Sequence, residues 1–542
     1  MDRHLSNGRV SNTPIGHGAH FGQSHSGHVQ FQPLCTEDAR TIMRAADPRA
    51  LVPSLPGFAL ALTLTCLAGC SRESVYRSPF APLPPERIEE LHEPAALAAD
   101  LAQFRAAVVE ATPQLDAVVD DERLLAAHAA IEARIDGPLD RRRFTGLLRE
   151  AAAAYGIGHI YVVSPAEDWN LWASQGGLAF ASNFADIDGR LVIRPPAEGD
   201  SQRAEYELRT LGEFDAGELR SVLRARISAD TEDARTANLA TVAPRLLWEM
   251  GLEPPIAWEA RAADGTLVRG VDPGATPNDA RDLFSAPTRE RTASAAATTV
   301  PWSLRWLDDD IALLRWDRMD PRFESAWNDA LEELFDELDA RGAVGLVVDL
   351  RGNGGGTSSL AAPLLDAIAK RPYRFAGGKV WRRSGIYDRF LESCLVWWAR
   401  VLPWRSMVSP VHANMAIGEE RLLKNDLPDA TPRTPRFRGQ VAFLIGPGTF
   451  SSAMMVADAV RTYDLALLIG RPTGGLPNSH GEIGFVRLAN SGLVVSFCSA
   501  RFLGASGDPN ETNPVLPHIA SDLAGDALVD LAADELRRAQ RR

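Results

Sequence analysis

Val344-Gly345-Leu346-Val347-Val348-Asp349-Leu350-Arg351-Gly352-Asn353-Gly354-Gly355-Gly356 is the stretch on which the fold turns. Its first half is a continuous apolar run broken only by Gly345 and Asp349, as a strand buried on both faces requires. Its second half is a glycine turn ahead of a helix expected near Ser358. Glycines there let the backbone approach a ligand with no Cβ in the way. N–H groups at a strand-to-helix turn also hold negative charge.

The surroundings extend the pattern. Ile311 to Trp316 is a predicted strand. Residues 323–340 carry Phe323, Trp327, Leu331, Leu334, Phe335 and Leu338 on one helical stripe. Val441 to Ile445 and Leu465 to Ile469 are two further apolar strands. Strands of this kind separated by helices imply a parallel sheet covered on both faces, an α/β domain. A second strand-to-helix junction follows the third strand: Thr449-Phe450-Ser451-Ser452-Ala453. A serine at a helix start is either an N-cap or a placed nucleophile. Between the two junctions, residues 376–436 hold Trp381, Trp397, Trp398 and Trp404 interleaved with Arg400 and Arg405. They read as a lid, as an interfacial helix beside a membrane, or as an insertion with its own small core.

Upstream of this domain, residues 85–158 are helical in pattern, with Leu124, His128 and Ile131 on one face. Residues 159–272 are β-rich, with hairpin signals at Asp188-Gly189 and Asp264-Gly265. Residues 273–300, rich in Ala, Thr, Ser and Pro, form a linker. The catalytic candidate is then 301–542.

The first seventy residues concern export. Residues 58–69 are an apolar run too short to span a bilayer, ending in Leu67-Ala68-Gly69-Cys70. This resembles the lipobox of bacterial lipoproteins, in which Cys70 would carry diacylglycerol. With synthesis starting at Met43, Arg44 and Arg49 supply the basic region of a signal peptide. Residues 1–69 are thus expected to be a leader plus signal, and 70–84 a lipidated tether. Ser71 after the cysteine favours the periplasmic face of the outer membrane. The leader's His4, His17, His20, His25 and His28 read as a disordered or untranslated stretch, or as a metal-binding tail.

Composition sets outer bounds. The chain has 542 residues, 45% hydrophobic and 24% charged, which excludes a wholly disordered protein. With 57 Lys+Arg against 71 Asp+Glu, and no basic stripe, nucleic acid is not expected as a partner. The five cysteines are too scattered for a disulfide framework or a zinc site, so no metal or cofactor is expected. Only Lys370, Lys379 and Lys424 are lysines.

The two junctions together resemble the serine peptidases that include the C-terminal processing (tail-specific) peptidases and the tricorn core. The V-x-D-L-R-x-N-G-G-G turn is complete at Val347–Gly356. The T-F-S-S-A-E-like turn matches at Thr449–Met454, with Met454 in place of glutamate. G-x-P-T-G-G matches at Gly470–Gly475, and L-P-N-S-G-L at Leu488–Leu493. The resemblance runs in order from about 85 to 520. It implies a ClpP–crotonase-like catalytic domain, preceded by an N-terminal helical domain and a PDZ-like domain, and a peptide or protein substrate.

The resemblance also implies site residues. Ser451 takes the nucleophile position, with Ser452 the alternative. The Ser–Lys branch places its lysine at Leu476 here, so that dyad is excluded. The tricorn-like branch uses a histidine in a segment matched by Gly156-Ile157-Gly158-His159-Ile160-Tyr161. It also uses a late glutamate, matched by Glu511, with His518 where aspartate is usual. The implied roles are His159 as general base, Glu511 orienting it directly or through a hydroxyl or water, and Gly354 or Gly355, with Ser452, supplying the oxyanion hole. His480 is the alternative base. Gln175-Gly176-Gly177-Leu178-Ala179-Phe180 faintly echoes a carboxylate-capturing nest. The departures at Met454, Leu476 and His518 favour, as the alternative, an inactive relative serving as a scaffold. An acyl-CoA enzyme of the crotonase type is a further rival, which the export signal opposes.

Overall fold

The computed structural model describes residues 80–541 apart from 197–203, 277–299, 309, 397–399, 401–404, 406–408 and 429–432. The leader, signal, Cys70, most of the tether, most of the linker, and Trp397, Trp398 and Trp404 lie outside the described residues.

After a single turn of helix at Pro85–Ile88, four longer helices come first: α1 (Pro94–Ala111), α2 (Asp121–Glu132), α3 (Arg141–Ala153) and α4 (Ala166–Ser174). Asp120 and Asp140 start α2 and α3 by accepting the N–H groups of Arg123 and Arg143. The antiparallel β-rich unit follows: β1 (Asn183–Ile187), β2 (Arg190–Arg194), β3 (Tyr206–Leu211), β4 (Phe214–Asp215), α5 (Ala216–Ala225), α6 (Glu232–Glu249), β5 (Ile256–Arg261) and β6 (Leu267–Asp272). Its strand order is β1-β2-β3-β5-β6, with β4 beside β3. Phe184, Ile193, Leu208 and Leu211 of the sheet pack on Leu219, Leu223, Leu239 and Leu246 of the two helices.

The remaining chain gives β7 (Trp302–Leu307), β8 (Ile311–Trp316), α7 (Glu324–Ala340), β9 (Gly345–Asp349), α8 (Ala362–Ile368), β10 (Gly378–Arg382), α9 (Gly385–Cys394) and β11 (Glu420–Lys424). Then come β12 (Gln440–Ile445), α10 (Ser452–Thr462), β13 (Leu467–Gly470), β14 (His480–Arg487), β15 (Val494–Leu503), β16 (Ile519–Ala520) and α11 (Gly525–Gln540). One sheet has the order β16-β13-β12-β9-β8-β7. It is parallel except for the antiparallel edge pair β7 and β8. Leu346, Val348, Phe443 and Ile445 face α7, α8 and α10. Val347, Ala442, Leu444 and Ile469 face Leu528, Val529, Ala532 and Leu536 of α11. The alternation explains the unbroken apolar runs, because both faces are covered.

Two sequence expectations are corrected. The described part of residues 376–436 is not an insertion packing only on itself. It supplies β10 and β11 to a second, antiparallel sheet of order β11-β10-β15-β14. Gly378 pairs with both Lys424 and Leu503, and Trp381 is fully buried. Nor is the catalytic region a self-contained ClpP–crotonase-like domain. Val495, Phe497 and Ala500 of β15 share one core with Phe104 of α1, Leu148 of α3, and Tyr387 and Phe390 of α9. The apolar face of the second sheet finds its cover in residues 97–160, so the N-terminal helices and the second sheet are one packing unit.

Candidate active site

The two junctions meet because β9 and β12 are adjacent parallel strands, with Val348 opposite Phe443 and Asp349 opposite Leu444. Both turns therefore leave the same sheet edge, where α/β folds place ligands. Asn353 joins them. Its side-chain amide donates to the Trp316 carbonyl at 2.9 Å and its Oδ1 accepts from Gly355 N–H at 2.8 Å. Its carbonyl accepts from Phe450 N–H at 3.0 Å. The Thr449 hydroxyl donates to the Leu350 carbonyl at 2.8 Å. The Ser452 hydroxyl donates to the Gly356 carbonyl at 2.7 Å, which occupies the alternative nucleophile.

Ser451 heads α10 with φ 52° and ψ −126°, and its side chain caps nothing. Such a backbone costs about 1–3 kcal/mol in a residue with a Cβ and persists only where the surroundings enforce it. The enforcement is visible: a Cβ on Gly355, itself at φ 97°, would lie 2.7 Å from the Ser451 Cβ. The turn exists only with glycine there.

His159 lies 292 positions earlier, yet its Nε2 is 3.1 Å from Ser451 Oγ. The segment around it docks on β15. Val162 bridges Val495. Tyr161 N–H donates to Ser496 Oγ at 2.8 Å, and that hydroxyl donates to the His159 carbonyl at 2.8 Å. The imidazole rests on Phe450, with ring centroids 4.7 Å apart. Gly158 makes room for that ring, since a Cβ there would lie 2.7 Å from it. Burial pushes the His159 pKa down to about 4, partly opposed by the adjoining His480 main chain. The imidazole is thus neutral near pH 7. With the proton on Nδ1, Nε2 accepts the hydroxyl proton. Nδ1 is buried and makes no hydrogen bond of ordinary geometry.

The other predicted residues divide. The Gly355 N–H is taken by Asn353, whereas Gly354 is exposed beside the turn and its N–H, like that of Ser452, has no partner among the described residues. Glu511 does not reach His159: it accepts a hydrogen bond from the Ser506 hydroxyl at 2.9 Å. His480 is buried with Nε2 2.9 Å from the Pro113 carbonyl. Met454 is buried in the core under α10. His518 Nδ1 accepts the Leu468 N–H. Gly176 and Gly177 donate to the carbonyls of Ala173 and Trp172, which commits the supposed carboxylate nest to closing α4.

Asp230 was not foreseen. It lies between α5 and α6, and its Oδ1 accepts the Gly158 N–H at 2.6 Å. Burial raises its pKa to about 6, opposed by the N–H groups of Gly158 and Leu476. Only its position before a helix marked it, which reads as capping chemistry.

Fold and site define a serine-type peptidase, a hydrolase acting through a serine and a histidine. Residues 310–521 match the model of peptidase family S41. Among solved structures, mature CPAF is similar at 14% identity, covering 82% of this chain and 96% of that one, with a TM-score of 0.50. A CPAF variant is similar at 12% identity, covering 82% and 96%, with a TM-score of 0.51. Tricorn protease aligns at 14% identity over 82% of this chain and 37% of its own, with a TM-score of 0.32, too low to bear on the branch. No match is found among curated proteins. These findings give the catalytic region the fold of S41 or tail-specific proteases and replace the ClpP–crotonase-like assignment.

Proposed function

We propose that the protein hydrolyses peptide bonds through an acyl-enzyme on Ser451, with His159 as general base, on the Ser–His side of its family. The observation that carries this is the 3.1 Å approach of a neutral, buried imidazole to the hydroxyl of a backbone-strained serine. Ser451 Oγ attacks the scissile carbonyl while His159 takes its proton. The C–N bond then breaks, and His159 delivers the proton to the leaving amine. Water, deprotonated by His159, releases the acid. The N–H groups of Gly354 and Ser452 bind the oxyanion, a contribution of about 10²–10³ in rate per donor. The absence of lysine after Lys424 supports the branch.

The same reading makes the protein an exported lipoprotein, anchored through Cys70 on the periplasmic face of the outer membrane. Its support is the Leu67-Ala68-Gly69-Cys70 signature and the following Ser71. Among the described residues no helix is long and apolar enough to cross a membrane.

Hydrolysis is tested by incubating the protein with a denatured protein substrate and counting new amino termini. Wild type should produce them, and Ser451→Ala and His159→Ala should not. Equal production by Ser451→Ala would overturn the assignment. Cys70→Ser should abolish palmitate incorporation and move the protein out of the membrane fraction. Unchanged labelling and fractionation would remove the anchor.

A further inference from the structure

Among the described residues the general base has no acidic partner. Nδ1 of His159 makes no hydrogen bond of ordinary geometry, and Glu511 is engaged by Ser506. One carboxylate nevertheless binds the residue next to the base: Asp230 Oδ1 holds the Gly158 N–H at 2.6 Å. Its other oxygen is buried and makes no hydrogen bond of ordinary geometry, and the Leu476 N–H also stabilises the carboxylate. A buried carboxylate is costly unless N–H groups hold it. Asp230 belongs to the β-rich unit, and its neighbours tie the same loop to the catalytic unit. The Thr231 hydroxyl donates to the Gly474 carbonyl at 3.2 Å, and Asp233 pairs with Arg471 at 3.2 Å. The loop therefore grips the chain on both sides of the Ser–His pair: residues 471–474 below the nucleophile turn and Gly158 beside the base.

We propose that Asp230 is the positioning residue of the catalytic pair, fixing Gly158 so that the His159 imidazole stays seated on Phe450 with Nε2 on Ser451. The β-rich unit thereby completes the active site. Gly158 has no Cβ to lodge it, because Phe450 fills that space. Its N–H is the remaining handle, and Asp230 is the group that holds it. A charged acceptor makes that handle stronger than a neutral one.

This proposal rests on the Ser451–His159 reading, and the test separates the two. Inactivation by a fluorophosphonate is followed for the full chain, and the limiting rate is resolved from the half-saturating probe concentration. Asp230→Leu keeps the branched shape but removes the acceptor; Asp230→Asn keeps a neutral acceptor. The expectation is a limiting rate lowered about 10–100-fold in Asp230→Leu, the scale of a small misplacement of a reacting group. Half-saturation and melting temperature should stay near wild type, and Asp230→Asn should recover most of the rate. If Asp230→Leu does not fold, the comparison of Asp230→Asn with Asp230→Ser decides, since serine is too short to reach Gly158. Wild-type rates in the acceptor-less variants, with Ser451→Ala unlabelled, would overturn the role of Asp230 and leave the Ser–His reading intact. Labelling of Ser451→Ala at the wild-type rate would overturn the reading beneath it.

Discussion

In the proposed mechanism Ser451 and His159 act as a pair because their surroundings hold them in states that free residues avoid. Ser451 is kept at positive φ by the packing of Gly355 against it. His159 is kept neutral by burial, with its pKa near 4 rather than the ordinary value of about 6.5. The sign of the pH effect follows. As pH falls through the lowered pKa, His159 takes a proton and stops accepting one from Ser451. The acid limb of kcat/KM should therefore lie well below 6.5, read from a pH profile on a fluorogenic peptide. Gly158→Ala should push Phe450 and the imidazole aside. It should cost about 1–3 kcal/mol as an overpacking change and cut activity more than tenfold, measured by melting and hydrolysis together. At this scale the sequence was legible where a turn has its own chemistry. Thr449 to Ala453 and Val347 to Gly356 announce strained, glycine-dependent turns. Asp230 was invisible because its role depends on a contact 72 positions away. Glu511 meets the Ser506 hydroxyl rather than the imidazole directly, because motif order does not fix where a late loop points.

At the scale of elements, β15 is the part that joins base and nucleophile. Its first half pairs with residues 161–163 and its second half with β10, while β14 runs along its other edge. Ser496, fully buried, is the pin: it receives the Tyr161 N–H and donates to the His159 carbonyl. Ser496→Ala leaves both groups buried and unpaired, at a cost of about 1–3 kcal/mol. A lowered melting temperature and slower hydrolysis are expected. The parallel strands β8, β9, β12 and β13 were readable from apolar runs, since burial on both faces leaves an unbroken signature. β10 and β11 were not. β10 pairs on one edge with β15, Gly378 lying opposite Leu503, and β11 joins the sheet only through β10; no local periodicity reports so distant a pairing.

At the scale of the whole molecule, the site is made by three parts of the chain. Helices α1 and α3 share a core with α9, β14 and β15. The β-rich unit reaches Gly158 and Gly474 through residues 230–231. The catalytic sheet supplies Ser451. A chain cut to residues 301–542 would expose the face carrying Val495 and Phe497, and would lack His159. It should be poorly folded by near-ultraviolet circular dichroism and inactive toward peptides. A folded, active fragment would contradict the shared core. The order of helical, β-rich and α/β regions was legible from composition and periodicity. Their fusion was not, because it depends on which apolar faces find each other.

The central claim is that Ser451, activated by His159, is the nucleophile. Its most direct test is mass spectrometry of the fluorophosphonate adduct on the folded mature protein. A single adduct is expected on the peptide containing Ser451, absent from Ser451→Ala and strongly slowed in His159→Ala. An adduct on Ser452 or elsewhere, or full-rate labelling of Ser451 without His159, would contradict it.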